Sequence, residues 1–529
     1  MLLRCHPERR SSPRRTYELL ACVGAASELH RSCAAKDAAQ HDIVMDYSEN
    51  KRALMNPLEI SSSQFRGLAD RVARLASDYL EHVDSMPIAP SISGENSVRL
   101  FDAILPEQGI GEAAFDDLPE VLRASRAPNG RFFGYVLGSG EPVAATADLM
   151  ASVLNQNVTA WRSGPAAVTI EKTVVNWMSQ AIGCSGFRGY LTGGGSAANL
   201  MGLAMAREAL SPANEQGVTA GAVVYASQEV HMSIPKSVAL LGIGRDNLRL
   251  LPTDPSLRMD TAQLERQIAS DKSAGRIPLA VVASAGTVNT GAIDPLAKIA
   301  EIAHRNGAWF HIDGAYGALA AIAEPGKFDG MELADSISLD PHKWLYQPLD
   351  CGCLLYRSSE AARKAFSHSG DYTRALSADP IEGFAFFEES LELSRRFRAL
   401  KLWLSLRYHG LAAFRESIRK DLAHATRLAK AIKAEPHLEL IGSGELSAVC
   451  FRYRGAIAID ETALNQLNAS ILKRTQKRGR IYLSNASLAG KFCLRACIVN
   501  HRTKESDVDA IVPEVLAAAT EVAVPQIAG

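Results

Sequence analysis

The chain has 529 residues, 47% of them hydrophobic and 22% charged, and its 57 Lys and Arg nearly balance 58 Asp and Glu. At roughly 150 residues per domain this is about 3.5 domains, which excludes a single small module. A net charge of −1 gives no reason to expect attraction to nucleic acid or to an anionic membrane surface. No apolar run of 18 or more residues occurs, so no membrane-spanning helix is expected. The nine cysteines form no Cys-x-x-Cys pair. Zinc-ligand spacing is therefore absent, no metal is expected, and a reduced, cytoplasmic setting fits better than a secreted disulfide framework.

Residues 1–54 carry Arg4, Arg9, Arg10, Arg14 and Arg15 and only a short apolar patch, Leu19 to Val23. This reads as a disordered leader or an upstream start, with Met45 or Met55 as natural alternatives, and not as a secretory signal. Organised sequence begins at Asn56. An amphipathic helix is expected over 56–85, where Phe65, Leu68, Val72, Leu75 and Leu80 recur at helical steps. Together with the mixed stretch up to 139 it forms an amino-terminal helical segment (55–139).

From 140 to 405 short β-rich runs alternate with helical sequence. Ala222–Tyr225, Leu279–Val282, Ala308–Ile312 and Ser336–Leu339 read as strands. Between two of them, Pro295 to Asn306 reads as a helix, with Asp294 as its cap and Gly307 as its stop. The alternation predicts an α/β domain whose large, mostly parallel sheet carries helices on both faces, with ligands beyond the carboxyl ends of its strands. From 406 to 529 helices and strands, including Leu438–Ile441, Ala448–Phe451 and the run 492–499, predict a smaller carboxy-terminal α/β domain.

Four features fall at predicted strand ends. In Thr192-Gly193-Gly194-Gly195-Ser196-Ala197-Ala198-Asn199, a glycine run opens a helix. Backbone N–H groups there can approach a phosphate, with Ser196 as cap and hydroxyl donor; alone, such a run is more often a plain turn. His311-Ile312-Asp313-Gly314-Ala315 brings an acid and small residues to a strand end, where an Asp more often only caps the next turn. Ser338-Leu339-Asp340-Pro341-His342-Lys343-Trp344 places a lysine between His342 and Trp344 directly after a buried strand. That setting suits an amine nucleophile better than a solvated surface lysine. His231, shortly after the strand at 222–225, gains weight only from the other three. The four together ask for a ligand with a phosphate, a planar ring, a ring nitrogen seeking a carboxylate and an aldehyde seeking a lysine. Pyridoxal 5'-phosphate has all four.

In order and spacing, TGGGSAANL, HIDGAYG and DPHKW resemble the group II pyridoxal-dependent amino-acid decarboxylases, over roughly residues 56–520. The resemblance implies the pyridoxal-dependent transferase fold of type I, the aspartate aminotransferase-like architecture: a large mixed-sheet domain, a small carboxy-terminal domain and an amino-terminal helical segment. It implies a homodimer with active sites at its interface, acting on an amino acid as small-molecule substrate and on neither nucleic acid nor membrane. Lys343 would join the cofactor aldehyde, and Asp313 would pair with the pyridine nitrogen. Gly195, Ser196 and His342 would hold the phosphate, His231 and Ala315 would take the two ring faces, and Thr287 would lie beside the ring.

The expected reaction is loss of CO2 from an L-amino acid through a Schiff base with the cofactor. Tyr372 would be the proton donor to Cα on a loop, since relatives that make aldehydes carry phenylalanine at the matching place. Arg495 is a candidate partner for a substrate carboxylate, or a structural arginine. Tyr135 falls where aromatic decarboxylases line the side-chain pocket, but Tyr135-Val136-Leu137-Gly138 departs from their Tyr-Phe-Pro-Thr run. Trp161 is either a pocket wall or core. An aromatic substrate is one expectation; acidic and diamino acids are alternatives, as are an aldehyde synthase, an aminotransferase or a lyase on the same scaffold. A non-enzymatic binding protein is disfavoured.

Overall fold

The computed structural model describes residues 56–90, 92–368, 379–455 and 459–523. The expected leader and Tyr372 lie outside them. The chain divides into two units, 1–76 and 77–529. The division falls inside the expected amphipathic helix, which forms as Ser62–His82. Its start is a capping box: Gln64 N–H donates to Ser61 Oγ at 3.2 Å while Ser61 N–H donates to Gln64 Oε1 at 2.9 Å.

Within the second unit seven strands form one sheet: β1 (Arg188–Thr192), β2 (Ala222–Ser227), β3 (Leu248–Leu251), β4 (Ile277–Ser284), β5 (Trp309–Asp313), β6 (Ser336–Leu339) and β7 (Gly352–Tyr356). Their order is β1-β7-β6-β5-β4-β2-β3. β2, β3, β4, β5 and β6 pair in parallel, and β7 runs antiparallel to both its neighbours, β6 and β1. Every residue of β2, β5, β6 and β7 is buried. Burial on both faces is why these strands read as continuous apolar runs and not as alternating ones.

The helix after β4 forms as Leu296–Arg305, burying Leu296, Ile299, Ala300, Ile302 and Ala303, and Gly307 follows it with φ +72°. Asp294 is not its cap. Pro295 occupies that position without a side-chain bond, and the buried Asp294 carboxylate accepts the N–H of Met259 and of Ser284, each at 2.7 Å. Burial pushes Asp294 up to about 6.

A second sheet, β8 (Leu438–Ser443), β9 (Ala448–Tyr453), β10 (Ser484–Leu488) and β11 (Lys491–Cys497), is ordered β10-β11-β9-β8 with every pairing antiparallel. Helices Glu461–Arg478 and Ile511–Ala523 pack with it around Phe451, Ile471, Leu494, Ile511 and Val515. Among the described residues no helix is long and apolar enough to cross a membrane.

One buried ion pair fixes the end of β1. Arg395 and Glu171, 1% and 0% exposed, meet at 2.5 Å. Arg395 also donates to the carbonyls of Val158 and Leu191, and Glu171 accepts the N–H of Leu191. Removing one partner leaves a charge uncompensated in the interior. Arg395→Met is expected to cost about 3–5 kcal/mol, read as a lowered denaturation midpoint. Adding Glu171→Leu should recover much of the loss; a single variant as stable as the parent would show that the pair holds nothing.

Candidate active site

Six strands of the large sheet run in one direction and end on the same side, and the chain leaving β1, β2, β4, β5 and β6 walls one cavity of about 460 Å³. Its lining includes Gly195, Ser196, His231, Thr287, Asp313, Ala315, His342 and Lys343. All eight expected cofactor contacts are thus brought together from segments spread over some 150 residues of sequence.

Gly193 and Gly194 leave β1, and the helix Gly195–Leu210 starts at once. Gly194 (φ +142°) holds the cap position, so Ser196 lies inside the first turn and does not cap the helix as expected. A Cβ on Gly195 would sit 2.5 Å from Ala315 Cβ and 3.0 Å from Asp340 Oδ2. Only glycine lets the helix start approach β5 and β6 this closely, and the cradle it leaves is one a phosphate fits.

Asp313 ends β5, 6% exposed. Its Oδ1 accepts Ala315 N–H and Ser338 O–H, both at 3.2 Å, and its Oδ2 accepts Asn199 Nδ2–H at 3.0 Å. No ion pair to it occurs among the described residues. A buried carboxylate held only by neutral donors suits a cationic ring nitrogen.

Lys343 sits on the short turn Pro341–Trp344 after β6, its Nζ 2.9 Å from Asp340 Oδ2. The neighbour that governs this amine is therefore a carboxylate three residues back, which the reading of His342 and Trp344 as its environment overlooked. Asp340 is 3% exposed, and its Oδ1 has no hydrogen-bond partner among the described residues. His342 Nδ1 donates to the Cys351 carbonyl at 2.7 Å, and burial lowers its pKa. His231 is half-buried, its pKa also lowered by burial, with Nδ1 bound to Ser233. Thr287 is buried, its hydroxyl tied to Thr290 at 2.9 Å. Tyr316 lines the wall, stacked on Trp344 with centroids 5.9 Å apart and bonded to Ser447 Oγ at 3.0 Å.

The three expected substrate residues do not line this cavity. Tyr135 has φ +57° and is 54% exposed, and it clusters with Phe132, Tyr482 and Arg126. Trp161 lies on a short 3-10 turn whose N–H bonds the Phe384 carbonyl, beside Val168 and Lys172 in a separate cavity. Arg495 is buried behind the turn carrying Thr287; it donates to the carbonyls of Asn289 and Tyr135 and to Ser484 Oγ, and its Nη2 has no partner among the described residues.

The likeness to known proteins agrees with this geometry. The family described as "Pyridoxal-dependent decarboxylase conserved domain" matches residues 106–454. An aromatic-L-amino-acid decarboxylase of Bacillus atrophaeus is 33% identical over 479 residues, covering 88% of this chain and 98% of that protein. Tryptophan decarboxylase 1 of Oryza sativa subsp. japonica is 30% identical over 477 residues, covering 85% of this chain and 92% of its own. The crystal structure of Oryza sativa TDC with PLP and tryptamine superposes with a TM-score of 0.82 at 28% identity, covering 88% of this chain and 99% of that one. The glycine cradle, the uncompensated Asp313 and the lysine at the end of β6 fit pyridoxal 5'-phosphate as the cofactor of a type I fold. With both lines of observation in agreement, the chain belongs to the pyridoxal-dependent decarboxylase family and is a pyridoxal-phosphate-dependent amino-acid decarboxylase.

Proposed function

We propose that the substrate is an aromatic L-amino acid, converted to its amine and CO2 by a homodimer. One observation carries the side-chain preference: among the described residues Lys343 is the only Lys or Arg lining the cavity, and Val288, Tyr316 and Leu349 supply apolar wall. A carboxylate in the substrate side chain would find no counter-charge there apart from the amine already committed to the cofactor. The relatives named for aromatic substrates support the same reading.

The cofactor, when bound, supplies the aldehyde for Lys343 and a protonated ring able to take up the electron pair left on Cα as CO2 departs. The chain's own residues do the rest. Gly195 and Ser196 present the first N–H groups of a helix to the phosphate. Asp313 holds the ring nitrogen's proton by charge, and His231 and Ala315 confine the two faces. Asp340 receives the Lys343 ammonium whenever the amine is free. Tyr372 delivers the proton to Cα; Tyr372→Phe is expected to keep cofactor binding and to move product from amine toward aldehyde, measured by chromatography. An unchanged amine yield would remove Tyr372 from the chemistry.

Association of two copies is supported by apolar side chains left open in the second unit. Ile104 and Leu105 are 93% and 89% exposed, and the helix Pro142–Leu154 exposes Leu149, Met150, Val153 and Leu154. The six described cysteines are buried and unpaired, which supports a cytoplasmic setting. One specific observation favours a second reading, an acidic substrate: the buried Arg495 guanidinium has no carboxylate partner among the described residues and an unused Nη2. CO2 release from purified, cofactor-loaded protein with Trp, Tyr, Phe, Glu and Asp separates the two. Turnover of Glu or Asp alone would overturn the aromatic assignment.

A further inference from the structure

Asn199 is 1% exposed on the helix that opens with the glycine cradle, and its side-chain amide is fully used. Nδ2 donates to Asp313 Oδ2 at 3.0 Å and to Ser233 Oγ at 2.9 Å; Oδ1 faces His311 Nε2 at 2.9 Å. Asp313 as a carboxylate can only accept, so the amide must turn its NH2 toward it. Oδ1 then faces His311, which requires the proton of that imidazole to be on Nε2.

The rest of the network agrees. Trp309 Nε1–H donates to Ser336 Oγ at 2.8 Å, leaving the Ser336 hydroxyl proton for His311 Nδ1, also at 2.8 Å. Burial holds His311 neutral, its pKa lowered to about 4. On the other branch Ser233 Oγ accepts from Asn199, so its own proton goes to His231 Nδ1 at 2.8 Å. The Ser233 backbone N–H points at the same nitrogen at 3.2 Å. His231 Nδ1 is therefore an acceptor, and the ring proton sits on Nε2, the nitrogen left to the cavity that His231 lines.

The close approach behind this network depends on Gly202, one turn along the same helix. A Cβ there would lie 2.7 Å from His311 Cε1 and 3.2 Å from Ser336 Oγ. Glycine inside a helix costs about 1 kcal/mol relative to alanine, and here it lets the helix lie against His311.

We propose that Asn199 is a positioning residue whose single amide couples Asp313 to the Ser233–His231 pair, fixing the carboxylate and setting His231 with its N–H toward the substrate. The functional part of this proposal rests on the decarboxylase reading of the cavity; the proton positions do not. The first test uses full-length, cofactor-free protein with ¹⁵N-labelled histidine, with resonances assigned through His231→Gln and His311→Gln. The expected result is a bare Nδ1 and a protonated Nε2 for both rings. A bare Nε2 on His311 would mean that the amide is reversed, and the proposal fails.

The second test measures pyridoxal phosphate dissociation by equilibrium dialysis. Asn199→Leu should weaken binding about tenfold to a hundredfold, the range for a lost hydrogen bond to a charged group. In an Asp313→Asn background the same change should cost less than about threefold, because the coupled partner is gone. Additive effects would make Asn199 mere packing and overturn the proposal. A parent protein that binds no cofactor sinks the decarboxylase reading instead, and leaves the histidine result to stand or fall by itself.

Discussion

Lys343→Ala is expected to lower turnover by about three orders of magnitude or more, since the amine that joins the cofactor aldehyde is gone. Borohydride reduction of cofactor-loaded parent should tag the peptide containing residue 343, and no tag should appear in the variant. Alanine has a second effect that must be separated. It removes the cation 2.9 Å from Asp340, a carboxylate that is 3% exposed and whose Oδ1 is already without a partner among the described residues. The nearest remaining cationic group is then His342, 3.6 Å away, whose pKa is lowered by burial, so Asp340 becomes a nearly uncompensated buried charge. Lys343→Arg separates the two effects: a guanidinium keeps the charge beside Asp340 but forms no Schiff base. The expected outcome is an arginine variant that folds like the parent, binds pyridoxal phosphate without covalent attachment and is inactive. Appreciable decarboxylation by Lys343→Arg would remove Lys343 from the chemistry.

Most of this site was legible because its residues come directly after strands. β4, β5 and β6 announce themselves as short buried runs, and residues just past the carboxyl end of a parallel strand face the ligand. The sequence alone thus brings His231, Asp313 and Lys343 to one ligand. Asn199 and Asp340 stood inside the same motifs without a role. Asn199 lies 114 residues from Asp313 in the chain, and no local pattern marks a side chain whose partners are that distant. β10 was missed for a different reason: Ser-Asn-Ala-Ser-Leu buries Ser484, Ala486 and Leu488 in alternation, but its two serines and an asparagine look like loop composition. Asp294 before Pro295 has the form of a helix cap, yet its carboxylate serves two backbone N–H groups from other segments. The substrate residues were the least legible. Tyr135 depends on a left-handed backbone that non-glycine residues rarely adopt, and nothing in its neighbours' identities signals that.

Asp421→Asn is expected to remove a pH dependence of stability on the order of 5 kcal/mol. Asp421 lies in the helix Ala399–Ala434, 2% exposed; its Oδ2 accepts Tyr346 O–H at 2.9 Å and Asn500 N–H at 3.1 Å. No cation pairs with it among the described residues, and burial pushes its pKa up to about 8. Unfolded, an Asp titrates near about 4. From about pH 4 to pH 8 the folded protein therefore holds a proton that the unfolded chain has released, and stability falls as pH rises, by about 1.4 kcal/mol per unit. Above pH 8 both states are ionised and the loss is complete. Asparagine keeps an acceptor for Tyr346 and Asn500 but cannot ionise. Asp294, with its pKa at about 6, and the buried histidines also titrate in or near this range, but they are common to both proteins. The variant-minus-parent difference in denaturation free energy thus isolates Asp421. It should be near zero at pH 4 and grow steadily to pH 8, where the variant is the more stable protein. The contact reaches the site because Tyr346 N–H bonds the Lys343 carbonyl at 3.1 Å, which links Asp421 through Tyr346 to the turn that carries the reactive amine. A difference that stays flat from pH 5 to pH 8 would show that Asp421 is already ionised in the folded protein.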